Sequence, residues 1–166
     1  RAAGTLLGPA GVLPNGLLLA TVVEAGRHRR AASLRRVVVA AASGAGAVMV
    51  SLGVALRFVP REWGLHILGD SWAGASSVAP ALSFAFAGTA VATVVAAGMR
   101  GSGRSRESVR LVTALAAGVL VSGALASGQG AASAAGAMAV PAWIGAIVTI
   151  WRWQRAPTPT VEQSND

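Results

Sequence analysis

The sequence contains no cysteine and no lysine. Without thiols there is no disulfide framework, no thiolate metal site and no cysteine nucleophile. Acidic residues are almost as scarce: Glu24, Glu62, Asp70, Glu107, Glu162 and Asp166 are dispersed along the chain and never paired. The two histidines, His28 and His66, lie in separate loops and have no metal-ligand spacing. The phosphate-cradling glycine–lysine loop, the nucleophile elbow and the zinc-helix motif are missing as well. Enzymatic chemistry is therefore not expected of this segment, and no catalytic residue, metal ligand or cofactor site is assigned.

What is present is apolar surface. Hydrophobic residues make up 54% of the chain against 12% charged, at a mean hydropathy of +0.60, which is more than a 166-residue soluble domain can cover. The apolar residues fall into runs at 4–23, 37–59, 73–99, 111–127 and 131–151, of which only 37–59 holds a charge, Arg57. A hydrocarbon core about 30 Å thick needs roughly 20 helical residues. The expected fold class is all-α: a polytopic transmembrane bundle of about five antiparallel helices. Residues 156–166, polar and carrying Pro157 and Pro159, are expected to form a disordered tail. The chain opens at Arg1 with no signal-peptide pattern and is expected to be a piece of a longer protein.

All 14 cations are arginine, and the net charge is +8. They cluster between the runs. Arg27, Arg29, Arg30, Arg35 and Arg36 follow the first; Arg100, Arg104, Arg106 and Arg110 follow the third; Arg152 and Arg155 close the fifth. Alternating spans place all of these on one membrane face. The turn after the second run has only Arg57 and Arg61 near it, and the Gly128-Gln-Gly130 turn has none. By the positive-inside bias the arginine-rich face is cytoplasmic, with the C-terminus on that side. The partner implied for these basic loops is anionic membrane lipid rather than nucleic acid.

The stretch Pro60-Arg-Glu-Trp-Gly-Leu-His-Ile-Leu-Gly-Asp-Ser-Trp72 is expected to turn at the opposite face, with Trp63 and Trp72 at headgroup level and Asp70 or Ser71 capping the next helix. Within the runs, Ala40, Gly44 and Val48 form one small-residue row, and Ala114, Gly118 and Ser122 another, each suited to close helix approach. Pro14, Pro80 and Pro141 each remove a backbone donor inside a span. Asn15 can partner the carbonyl freed at Pro14. The hydroxyls of Ser76, Ser77, Ser83, Thr89 and Thr93 are expected to bond back to the backbone or to a neighbouring helix. An intramembrane charge is a functional candidate by default, which singles out Arg57. It lies three residues before Pro60, close enough to the interface to snorkel. Facing a water-filled cavity, it would neutralise a phosphate or pair with an acid from a span outside this chain. Arg57 and Asn15 are the candidate substrate-binding residues.

Gly8-Pro9 in the first run, Glu24-Ala25 before the basic loop, Pro60 with Gly64-Leu65-His66-Ile67-Leu68-Gly69-Asp70-Ser71-Trp72, and Gly128-Gln129-Gly130-Ala131 together carry a family resemblance. The chain resembles the C-terminal half of bacterial polysaccharide, or lipid-linked oligosaccharide, flippases of the multidrug/oligosaccharidyl-lipid/polysaccharide exporter superfamily. Val23 departs from the proline expected before the glutamate. The resemblance implies that residues 1–155 are a second-lobe transmembrane bundle whose missing N-terminal lobe belongs to the same protein, and that 156–166 is a cytoplasmic tail. It implies translocation of a polyprenyl-pyrophosphate-linked glycan from the inner to the outer leaflet of the bacterial plasma membrane by alternating access. The alternatives are a drug–cation antiporter or other secondary transporter, and a non-transporting membrane subunit of glycan assembly. A coupling-ion site needs a buried carboxylate, and the five runs contain none.

Overall fold

The computed structural model describes residues 31–155 of the chain. Among them every regular element is helical: α1 (Ala31–Phe58), a short α2 (Arg61–Leu68), α3 (Trp72–Gly101), α4 (Ser105–Ala126) and α5 (Ala131–Gln154), with single 3₁₀ turns at Gly69–Ser71 and Ser127–Gln129. Helices suit such sequences because hydrocarbon supplies no partner for an unpaired amide, so each span must satisfy its own backbone. Four helical stretches are long and apolar enough to cross a membrane: Leu34–Phe58, Arg61–Gly101, Ser105–Gln129 and Ala131–Gln154. The expected first span, at 4–23, and the expected tail, at 156–166, lie outside the described residues.

The breaks have local causes. Pro60 has no donor and adopts an extended conformation before α2. Gly103 and Gly130, at φ 84° and 106°, take the left-handed backbone that turns α3 into α4 and α4 into α5. At the first of these, the Arg104 amide reaches back to the Met99 carbonyl at 2.9 Å. The basic linker expected over 100–110 therefore shrinks to 102–104, because α3 and α4 extend into it from both sides.

Helix α3 is the centre. It packs against α1 on one side and α5 on another, and α4 leans mainly on α5. From Ala87 to Met99 nearly every residue of α3 is buried, and alanine and glycine predominate there. Small side chains let three neighbours approach one helix. A Cβ added at Gly88 would lie 3.0 Å from the Ala142 carbonyl carbon of α5, one at Gly46 would lie 2.9 Å from Val91, and one at Gly98 would lie 2.7 Å from Val38. Toward its N-terminus α3 buries only a stripe, Trp72, Ala75, Ala79 and Ser83. Among the described residues α3 is thus enclosed toward Met99 and only partly covered toward Pro80.

Two expectations are corrected. The Pro60–Trp72 stretch is mostly helical; within it the Trp72 indole packs against the bare backbone of Gly64 and is 6% exposed, whereas Trp63 is 70% exposed. Neither Asp70 nor Ser71 caps α3 with its side chain, since the chain enters α3 directly from a 3₁₀ turn. The face of α1 that meets α3 is Leu34, Val38, Ala42, Ala45, Met49 and Gly53; Ala40, Gly44 and Val48 lie on another face, whose expected use in helix contact nothing among the described residues tests. In α4, Gly118 does face α5, 3.3 Å from Pro141 as a Cβ would see it, while Ala114 is exposed.

The hydroxyls behave largely as expected. Thr89 donates to the Ala85 carbonyl at 3.1 Å and Thr93 to that of Thr89 at 2.7 Å, with Ser76 and Ser77 bonding one turn back. Between helices, buried Ser108 of α4 donates to the Ala96 carbonyl of α3 at 2.8 Å.

Gly88 faces backbone rather than a movable side chain, so Gly88→Val should force α3 and α5 apart. Overpacking of this kind destabilises by about 1–3 kcal/mol. Thermal unfolding in detergent should occur at a lower temperature than for the parent protein; an unchanged midpoint would mean that α3 and α5 do not meet at Gly88.

Candidate functional site

The two ends of the bundle differ in charge. α1 begins, α3 ends, α4 begins and α5 ends at the same end, which gathers Arg35, Arg36, Arg100, Arg104, Arg106, Arg110, Arg152 and Arg155. Arg57 and Arg61 lie at the other. Arg27, Arg29, Arg30 and Asn15 fall outside the described residues.

At the arginine-rich end one carboxylate is shared. The Nε and Nη2 atoms of Arg104 both donate to Oε2 of Glu107, and Nη1 of Arg152 approaches Oε1 at 3.4 Å. Arg104 also donates to the Arg152 carbonyl at 3.4 Å. The arrangement ties the start of α4 to the end of α5. Arg35, Arg36, Arg100, Arg106 and Arg110 are exposed at the same end. Arg155 stacks over the Trp151 ring, 4.2 Å from its centroid.

At the opposite end Arg57 is exposed in the last turn of α1 and lines an open groove of about 350 Å³ between α1 and α3. The other lining residues are Val50, Gly53, Val54, Phe58, Pro80 and Phe84. Arg57 is the one charged group in an otherwise apolar wall, and no carboxylate among the described residues pairs with it. A cation in such a wall can attract a phosphate, while the apolar residues accommodate a chain or ring. Proline at 80 gives no amide donor, which frees the carbonyl four residues earlier, at Ser76. Beside the groove, behind Gly53, Ser83 is fully buried with its Oγ unpartnered. A Cβ on Gly53 would lie 2.8 Å from the Ser83 Cβ, so glycine at 53 is what brings α1 this close.

On the far side of α3, Trp143 of α5 donates its indole N–H to the Phe84 carbonyl at 3.1 Å, and the two rings stack at 5.1 Å. This fixes the α3 wall of the groove from behind. Sequence reasoning missed Trp143, although a signal existed: it lies eight residues before the Trp151 belt, deep in a span, where an indole N–H must find a partner. The expectation that the Ser83 hydroxyl bonds to its own backbone or a neighbouring helix is overturned, and the Glu107–Arg152 pairing was not legible, because it depends on which helices are neighbours. Among the described residues no group of three or more histidine, aspartate or glutamate side chains is placed to hold a metal ion. No protein-family model, curated protein or solved structure matches the chain.

Arg57 and Ser83 are close in the fold but differ in access. With no native thiols, an Arg57→Cys variant in detergent should react readily with a water-soluble maleimide, and Ser83→Cys should stay unlabelled until the protein is denatured. Equal labelling of the two would contradict the tight α1–α3 seam.

Proposed function

We propose that the chain is the second transmembrane lobe of a bacterial flippase, which carries a polyprenyl-pyrophosphate-linked polysaccharide or oligosaccharide from the inner to the outer leaflet by alternating access. The observation that carries the reading is the groove at Arg57. It places a lone cation in an apolar wall, a combination that suits a ligand with an anionic head and a hydrocarbon tail. Among the described residues, the partial cover of α3 at that end, against its enclosure at the other, fits a lobe that rocks against a second one around a central site. In this arrangement Arg57 meets the pyrophosphate, and the missing N-terminal lobe completes the cavity. The arginine-rich end faces the cytoplasm, where Arg35, Arg36, Arg100, Arg106 and Arg110 meet anionic lipid headgroups. No bond is made or broken in the transported molecule by any residue of this lobe.

In the full-length protein, Arg57→Ala should reduce glycan export and raise the lipid-linked glycan pool on the inner leaflet, at unchanged protein abundance, with Arg57→Lys recovering part of the activity. If abundance falls in step with export, Arg57 serves the fold. If the pool and its leaflet do not change in a strain lacking the gene, the transported molecule is of another class. Orientation has its own check. A Ser102→Cys protein in intact cells should resist a membrane-impermeant maleimide, and labelling there would invert the topology.

A further inference from the structure

The groove at Arg57 carries two phenylalanines, and they are held differently. Phe58 is the last residue of α1, and no aromatic ring among the described residues stacks on it. Phe84 stands on α3, one turn beyond Pro80. Its ring stacks on Trp143 of α5, with centroids 5.1 Å apart and planes 33° apart, and its carbonyl accepts the indole proton of the same tryptophan at 3.1 Å. One indole thus holds both the side chain and the backbone of Phe84. The place of this hold matters. Pro80 offers no amide to the Ser76 carbonyl, so α3 lacks one internal bond in the turn before Phe84. In the turn after it, a Cβ on Gly88 would lie 3.1 Å from the Trp143 amide nitrogen, so the two helices are in backbone contact there. Trp143 does not itself line the groove. Its influence on a molecule bound there passes through Phe84.

We infer that Trp143 is a positioning residue for the groove: it holds Phe84 as a preset wall against which the hydrocarbon tail of the bound lipid packs, while Arg57 meets the phosphate. The inference rests on the reading of the groove as a site for a lipid with an anionic head, and it divides recognition of that lipid between head and tail. The physical ground is preorganisation. A side chain that is ordered only when the ligand arrives subtracts its lost rotamer freedom from the affinity, and one already fixed in the free protein does not. An aromatic ring fixed in this way offers a broad apolar face at little further entropic cost. The indole supplies both parts of the hold, the stacking surface and the proton for the Phe84 carbonyl, which a leucine at 143 would lack and a phenylalanine would supply only in part.

The test is a double-mutant cycle on binding of a polyprenyl monophosphate to the purified full-length protein in detergent. Trp143→Leu should weaken binding about two- to tenfold, the range set by ordering one side chain on binding. Phe84→Ala should weaken it at least as much. In the Phe84→Ala background Trp143→Leu should add nothing, because the wall it positions is gone. If Trp143→Leu does not accumulate, Trp143→Phe carries the same comparison, since it keeps a ring and removes the indole proton. An equal loss from the Trp143 variant in both backgrounds makes Trp143 a residue of the fold and overturns the inference. So does unchanged binding in either single variant, with the parent still binding, and in that case the reading of the groove stands. A parent protein that does not bind the polyprenyl monophosphate removes that reading, and the inference with it.

Discussion

The approach of α3 to α5 at Gly88 is the constraint on which the other helix positions rest. Four of the helical stretches are long and apolar enough to cross a membrane, and for helices in hydrocarbon burial in the usual sense is not what holds them together. What remains is contact density, and that depends on how near two backbones can come. Gly88 has no side chain between itself and the Ala142 carbonyl. With α3 seated there, Gly98 admits Val38 of α1, Ser108 of α4 reaches the Ala96 carbonyl, and Trp143 reaches the Phe84 carbonyl. Each of these contacts requires α3 to be slender along the same stretch. The run of alanine and glycine from Ala87 to Met99 supplies that slenderness.

Polar groups in the described residues follow the same geometry. Thr89 and Thr93 return their hydroxyl protons to their own helix, and Ser108 and Trp143 spend theirs on α3. Ser83 does neither, although it is fully buried. It lies beside Pro80 and Gly53, next to the groove that Arg57 lines. A buried hydroxyl without a partner is destabilising. At this level the α1–α3 seam is close, with glycine at 53 against Ser83, yet it carries an uncompensated hydroxyl.

Four of the five expected spans, the gathering of arginines at one end and the tight Gly130 turn were legible in the sequence, because each depends on local composition: about 20 apolar residues, a cluster of arginines, a glycine between two runs. The helix faces were only half legible. The row Ala40, Gly44, Val48 has the spacing of a contact face, but spacing does not say which of several small-residue rows meets which neighbour, and α3 selects Ala42, Ala45, Gly46 and Gly53 instead. The stretch from Arg61 to Trp72 reads as a turn through its charges and glycines, yet Trp72 needs a flat surface to cover it, and Gly64 offers one only when helical. At the candidate site Arg57 was visible as the single charge in its run. The apolar walls contributed by Pro80 and Phe84 were not, since they come from a helix more than twenty residues away.

The asymmetry of α3 also has a bearing on how the molecule loosens. Backbone amides exchange with solvent through local openings whose free energy rises with the density of surrounding contacts. Along this one helix that density climbs steeply, from a single buried stripe near Ala75 to near-complete enclosure at Met99. Exchange therefore runs as a gradient within a continuous helix rather than as a step between separate elements. The half bearing Pro80 opens and recloses on a fast clock, while the half held by Gly88 and Gly98 keeps its amides until the bundle as a whole comes apart.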